Sequence, residues 1–239
     1  MLFKSCCENK CKALKRPGLF GIKMTRSWRS VLRQIWRFLW HDNSVWSWIV
    51  NIILAFVIIK FLIYPGLGLL LGTGYPIVAV VSGSMDHHVS ATGDICGKHP
   101  LNYETEDFWS VCSDWYKEIG ITETDFAEFP FSNGFRKGDI IVLKGKSPKD
   151  INIGDVIVFT AKNPKIKTDP IIHRVVEIQK SNSNYVFKTK GDHNAGSWDD
   201  QVIGETEITE NRILGTGWFK LPWLGYLKIG FVKIIGLLR

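Results

Sequence analysis

Ser84 lies in Val80-Val81-Ser82-Gly83-Ser84-Met85, a small polar stretch that follows a long apolar run. A serine hydroxyl is a poor nucleophile near neutral pH and needs a base to take its proton as it attacks. Taken alone, Ser-Gly-Ser is a polar turn, since Ser and Gly are common in turns. His173 changes that balance. It sits in Ile171-Ile172-His173-Arg174-Val175-Val176, a polar residue inside an apolar strand pattern. A buried histidine must find hydrogen-bond partners. It is either a satisfied core residue or a general base whose two ring nitrogens meet a serine and a carboxylate. A serine–histidine pair usually has a carboxylate that orients the imidazole, and Asp192, Asp199 and Asp200 follow downstream. Arg174 alternates to the opposite strand face and reads as structural.

The elements that must position these groups differ sharply in composition. Asn51 to Leu71 is almost wholly apolar, and about 20 such residues span a hydrocarbon core as a helix. Trp40, Trp46 and Trp48 precede it, as interface-anchoring aromatics do. The run is too long, and too far from Met1, for a cleavable signal peptide. Lys60 within it is expected to snorkel or to face protein or water. Pro65-Gly66 predicts a kink or the end of regular helix near Tyr64. The segment before the span is rich in Lys and Arg, against only Glu8 and Asp42. The positive-inside rule puts that end in the cytoplasm and everything after the span on the outer face. The net charge of +7 comes largely from this basic end, so it argues for anionic lipid rather than nucleic acid. Thr25 to Trp40 reads as an amphipathic helix, with Val31, Ile35, Phe38 and Leu39 on one face and Arg29, Arg33 and Arg37 on another.

Past the span, short Val- and Ile-rich stretches bounded by Gly, Pro, Asn or Asp predict a mainly β domain. They are Tyr75–Ser82, Asp139–Lys144, Asp155–Thr160, Pro170–Ile178, Asn184–Lys190 and Asn211–Gly217. Asp139 and Asp155 open two of them as turn residues that satisfy backbone. Residues 86–131 form an acidic, aromatic insert, with helical patterns at Glu106–Ile119 and after Thr122. It is either a solvated cap over a substrate groove or a segment whose aromatics pack it onto the domain. The resulting organisation is 1–43 basic cytoplasmic segment, 44–71 transmembrane helix, 72–217 extracytoplasmic domain and 218–239 apolar, basic membrane-contacting segment. Cys6, Cys7 and Cys11 lie on the reducing side and lack an obvious fourth ligand, so no metal is expected. Cys96 and Cys112 lie outside, where disulfides persist; a bridge between them is open, because spacing does not give distance.

The Val80–Met85 and Ile171–Val176 segments, with Thr189-Lys190-Gly191-Asp192-His193-Asn194, resemble the signal peptidase I family. The type is the archaeal and endoplasmic-reticulum one that uses histidine. The resemblance covers roughly residues 40–226. It implies a signal-peptidase-like β-rich catalytic domain anchored by the N-terminal transmembrane helix. It makes Ser84 the nucleophile and His173 the general base, at the position where bacterial relatives carry a lysine. Ser82 matches the family's oxyanion-hole serine, acting beside the Ser84 backbone N–H. The orienting carboxylate would come from Gly191-Asp192-His193-Asn194 or an aspartate shortly after. In the family pattern the second aspartate falls six residues after the first. Here that position is Trp198, and Asp199 and Asp200 follow. Asp199 is the favoured partner, Asp200 its rival, and Asp192 would hold the loop or assist His173. A second departure is Ser84-Met85-Asp86-His87-His88, where relatives read Ser-Met-Glu-Pro. His87 and His88 are taken as surface residues of the insert, and His193 matches no family role.

The function expected is a membrane-bound serine endopeptidase that cleaves N-terminal signal peptides from secreted and membrane preproteins, without metal or organic cofactor. Such enzymes cut after small side chains. Substrate would add as a strand near Tyr75–Ser82, with Val78, Val80 and Ile140 lining the groove. The partners expected are secretory preproteins and membrane lipid, with the protein translocation channel a further candidate and no nucleic acid. The location expected is the cell membrane, as a single-pass protein with its catalytic domain on the outer face. The alternatives are a Ser/His processing protease for a narrow set of surface proteins, and a non-catalytic membrane scaffold.

Overall fold

The computed structural model describes residues 28–90, 93–163, 169–181, 184–199, 202–226 and 230. Expectations for Cys6, Cys7, Cys11, residues 25–27, Asp200 and most of 218–239 lie outside the described residues. The chain divides into two compact units, residues 1–56 and 57–239.

The first unit contains helix α1 (Trp28–His41) and the start of α2 (Val45–Ile58). The Asp42–Ser44 turn between them caps α2, since Ser47 N–H donates to Ser44 Oγ at 3.3 Å. The last carbonyls of a helix lack intrahelical partners. Here α2 supplies them: Ser47 Oγ donates to Phe38 O at 2.6 Å and Asn51 Nδ2 to Leu39 O at 2.9 Å. Trp28, Leu32, Trp36 and Trp40 of α1 are all exposed.

Helix α2 continues through a π-helical segment, Ile59–Ile63, into α3 (Tyr64–Leu71). Among the described residues, Val45–Leu71 is the one helix long and apolar enough to cross a membrane. Near Tyr64, where a kink or the end of regular helix is expected, the α-helix gives way to this π-helical segment, and the chain stays helical through Pro65. A proline ring collides with the carbonyl four residues back in an α-helix, and the wider π turn lies where that collision would fall. The helix stops instead at Gly72, whose φ of 66° is the left-handed C-cap conformation that glycine adopts without strain.

The second unit is built on a seven-stranded antiparallel sheet that curls into a half-barrel. Its strands are β1 (Ile77–Ala79), β2 (Ile140–Lys144), β3 (Val156–Phe159), β4 (Ile171–Ser181), β5 (Asn184–Lys190), β6 (Ile208–Thr209) and β7 (Ile213–Leu221). Their order is β1-β2-β7-β3-β4-β5-β6. Strand β3 is Val-Ile-Val-Phe with every residue buried, because both of its faces carry core. Phe135, Ile141, Leu143 and Ile172 pack on one side, and Val175, Phe187 and Ile208 on the other. Strand β7 runs past the expected boundary at residue 217, and β6 was not anticipated. The helix exit is stitched to the sheet where Gly145 N–H donates to Leu71 O at 2.7 Å and Thr73 Oγ1 to Leu214 O at 2.6 Å. As read from sequence, Asp139 and Asp155 close turns, accepting from the backbone N–H of Arg136 and Asn152 at 2.9 and 2.8 Å.

The insert between β1 and β2 holds α4 (Phe108–Glu118) and α5 (Glu123–Glu128). Asp107 caps α4 by accepting from Ser110 N–H, and Thr122 with Asp125 forms a capping box on α5. Phe108, Val111, Tyr116, Ile121 and Phe126 make a core of their own, joined by Val176 from β4. The β4–β5 register shifts between Val175 and Glu177, a bulge at the residue that enters the insert core. Cys96 and Cys112 form a disulfide with Cα atoms 5.5 Å apart. The aromatics thus pack the insert onto the domain, and it is not a loosely solvated cap.

Candidate active site

Ser84 follows β1 in a turn closed by Asp86 N–H donating to Gly83 O at 2.9 Å. Two backbone bonds hold this turn: His193 N–H to Ser84 O at 2.9 Å and Phe135 N–H to Met85 O at 3.0 Å. The Met85 side chain is buried and anchors the segment in the core. His173 is a buried residue of β4, paired across the ladder with Ile157. Its Nε2 lies 2.9 Å from Ser84 Oγ. Its Nδ1 meets the Oε1 atom of Glu205. A carboxylate only accepts, so Nδ1 carries the ring proton and Nε2 turns its lone pair to the serine hydroxyl. That is the tautomer a general base requires. Ser82 Oγ stands 3.2 Å from Ser84 Oγ.

Glu205 is the residue that the sequence reading missed, and it corrects the expected aspartates. Asp199 accepts from Thr206 Oγ1 at 2.7 Å in an exposed position, away from His173. Glu205 is fully buried; its second carboxylate oxygen accepts from Trp198 N–H at 2.7 Å, and its own N–H donates to Trp198 O at 3.0 Å. Glu205 Oε1 thus meets the ring nitrogen for which an aspartate was expected. In sequence, Gly204-Glu205-Thr206-Glu207 offers no periodicity that separates Glu205 from its neighbour. Glu207 pairs with Lys162 near the surface.

Asp192 does not touch His173 either. It is the centre of a buried cluster on the other side of the site turn. Arg174 donates to it from Nε at 2.9 Å and from Nη2 at 2.7 Å, Tyr116 Oη at 3.0 Å, and His87 Nε2 at 2.8 Å. Burial alone would raise the Asp192 carboxyl. The Arg174 guanidinium and the His87 hydrogen bond outweigh it and hold the group well below the usual carboxylate range. Burial and the Asp192 charge push the Tyr116 hydroxyl well up. His87 is therefore not a surface residue: its ring stacks on Phe108 with centroids 3.8 Å apart. Beside them Lys190 is fully buried, its ammonium donating to Gly191 O at 3.1 Å and Asp192 O at 2.9 Å. Desolvation pushes Lys190 down to about 8.

Ser84, Ser82 and His173 open onto a groove of about 650 Å³. Ala79, Val80 and Val81 line one part of it, and Ile171, Trp198 and Ile203 another. Val80 is a groove residue as expected, whereas Val78 and Ile140 are not among its lining. The groove is mostly apolar, and Asp86, Asp169, His193 and Asn194 join the serines and the imidazole as its polar lining. Among the described residues, no group of three His, Cys, Asp or Glu side chains is placed to hold a metal ion.

A hydroxyl, an imidazole and a buried carboxylate in series, at the wall of an apolar groove in a β-rich domain that follows an apolar helix, have the architecture of a serine-type hydrolase. No family model matches the chain. Individual proteins do. The signal peptidase complex catalytic subunit SEC11C of Homo sapiens is 28% identical over 170 residues, covering 63% of this chain and 86% of that one. The signal peptidase complex catalytic subunit SEC11 of Lachancea thermotolerans is 34% identical over 100 residues, covering 40% and 56%. That of Zygosaccharomyces rouxii is 33% identical over 99 residues, covering 40% and 56%. The homologues of this chain are thus signal peptidase complex catalytic subunits, at modest identity over much of its length. The resemblance to the endoplasmic-reticulum type of signal peptidase I stands, and these relatives support a signal peptidase, a serine-type hydrolase.

Proposed function

We propose that this chain is a membrane-anchored endopeptidase that removes N-terminal signal peptides from secretory and membrane preproteins, with Ser84 as nucleophile and His173 as general base. The observation that carries this reading is the 2.9 Å approach of Ser84 Oγ to His173 Nε2 at the groove wall, with Glu205 behind the ring. Ser84 Oγ attacks the scissile carbonyl while His173 Nε2 takes its proton. Glu205 fixes the Nδ1–H tautomer and stabilises the imidazolium as it forms. The Ser84 N–H and the Ser82 hydroxyl donate to the developing oxyanion. His173 then returns the proton to the leaving amine, and water, activated by the same ring, releases the signal peptide from Ser84. An extended substrate adds along the free edge of β1, which places its carbonyl by the serine.

Residues 44–71 form the membrane span, residues 1–43 stay on the cytoplasmic side with α1 against anionic lipid, and residues 72–217 work on the outer face. This puts the site where the apolar core of a signal peptide ends. The membrane is the one across which preproteins are exported, and the working unit includes further subunits of a signal peptidase complex.

Cleavage of a labelled preprotein by the detergent-purified full chain tests the reading. The wild type should cut once, after a small residue, and Ser84→Ala should be inert. Equal cutting by both would remove Ser84 as nucleophile. Inertness of both, with partner subunits added, would favour a non-catalytic scaffold.

A further inference from the structure

The insert reaches the catalytic turn through specific polar contacts as well as through packing. Two of the three residues that donate to the Asp192 carboxylate come from it or its entry: Tyr116 from α4, and His87 from the segment just after Met85. Asp192 belongs to the turn that grips the nucleophile. Its N–H lies 3.4 Å from Met85 Sδ, and the next residue donates its N–H to Ser84 O at 2.9 Å. Gly191, the residue before it, is flush against the reacting pair. A Cβ at Gly191 would stand 2.8 Å from His173 Nε2 and 2.9 Å from Ser84 O. A small displacement of residues 191–193 therefore moves both the serine backbone and the space beside the imidazole.

Further contacts from the insert converge on residues 190–193. Cys96 N–H donates to His193 O at 2.8 Å. Cys96 holds a left-handed backbone, with φ 54°, a conformation that costs a non-glycine residue energy and persists only where its surroundings enforce it. The rings of Trp115 and Tyr116 each lie 5.0 Å from Lys190 Nζ, which bonds the carbonyls of Gly191 and Asp192. Packing alone would account for the rings, but not for a hydroxyl and an imidazole directed at one buried carboxylate.

We propose that Tyr116 and His87 are positioning residues for the Ser84–His173 pair, acting through Asp192 to fix the Gly191–His193 turn that holds Ser84. The proposal rests on the catalytic reading above, and its test separates the two. The informative variant is Tyr116→Phe, which keeps the ring over Lys190 and in the insert core and deletes only the hydroxyl. His87→Gln, which retains an N–H donor, is the conservative partner to His87→Phe.

In the full-length protein, Tyr116→Phe and His87→Phe should each lower kcat roughly tenfold with KM changed little, as expected when reacting groups are slightly misplaced. His87→Gln should recover most of the loss. The ring-nitrogen NMR signals of His173 in isotopically labelled protein give the second readout, which needs no substrate. They should shift in Tyr116→Phe and in Ser84→Ala. Unchanged His173 signals and unchanged kcat per folded molecule in Tyr116→Phe would overturn the proposal and leave the insert as packing. If the wild type cuts no preprotein, the functional reading fails, yet a His173 shift in Tyr116→Phe would still uphold the positioning role.

Discussion

The Glu205 carboxylate occupies the place that the sequence pattern gives to an aspartate, and the substitution has a chemical logic. A glutamate side chain is one methylene longer, so it can rise from a strand of chain further below the imidazole than a loop aspartate could. Trp198 N–H fixes its other oxygen at 2.7 Å, which leaves Oε1 aimed at Nδ1. Glu205→Gln presents an amide that can donate to Nδ1 and stabilise the wrong tautomer. We expect kcat to fall by roughly 10³-fold or more, with the fold retained by circular dichroism. Asp199→Asn removes only an exposed contact to Thr206 and should leave kcat close to wild type. The reverse pattern in a steady-state assay would restore Asp199 as the orienting group. Asp192 is a different case. Removing it leaves Arg174 buried without its counter-charge, which costs about 3–5 kcal/mol. Inactivity of an Asp192 variant would therefore report stability as much as catalysis.

At the scale of elements, the insert is held by its aromatic core, its helix caps and one covalent bond. The Cys96–Cys112 bridge closes a loop with a sequence separation of 16. Loops of that length lose about 3 kcal/mol of stabilisation when opened. Cys96→Ser with Cys112→Ser should lower the denaturant midpoint accordingly, and the loss should appear first as faster hydrogen exchange in α4. A midpoint unchanged by the double substitution would mean that packing alone holds the insert. The capping box, the turn aspartates and most strands were legible beforehand because each depends on a few adjacent residues. The continuation of the helix through Pro65 was not, because a π turn accommodates the ring without any composition of its own. Strand β6 is two residues long, and its existence depends on its partner β5 rather than on its own pattern.

At the scale of the whole molecule, the five cysteines report topology. Cys96 and Cys112 pair only in an oxidising compartment, whereas Cys6, Cys7 and Cys11 precede the span. In sealed membrane vesicles with the cytoplasmic face outward, a membrane-impermeant thiol reagent should modify the three N-terminal cysteines without reduction, and Cys96 and Cys112 only after reduction and permeabilisation. Labelling of all five without reductant would place the β domain on the cytoplasmic side and overturn the proposed orientation.

The sequence by itself determined a long apolar helix, a β-rich domain after it, and a serine and a histidine of matched chemistry. These follow from local periodicity, from charge bias along the chain and from motifs whose residues are adjacent. Only the tertiary structure decided which carboxylate stands behind His173, that Asp192 faces Arg174, Tyr116 and His87 instead, and that the His87 ring stacks on Phe108. Each of these depends on how a loop returns through space. Loop length and the direction of a side chain across a sheet are settled by packing between segments far apart in sequence, and no single segment encodes them.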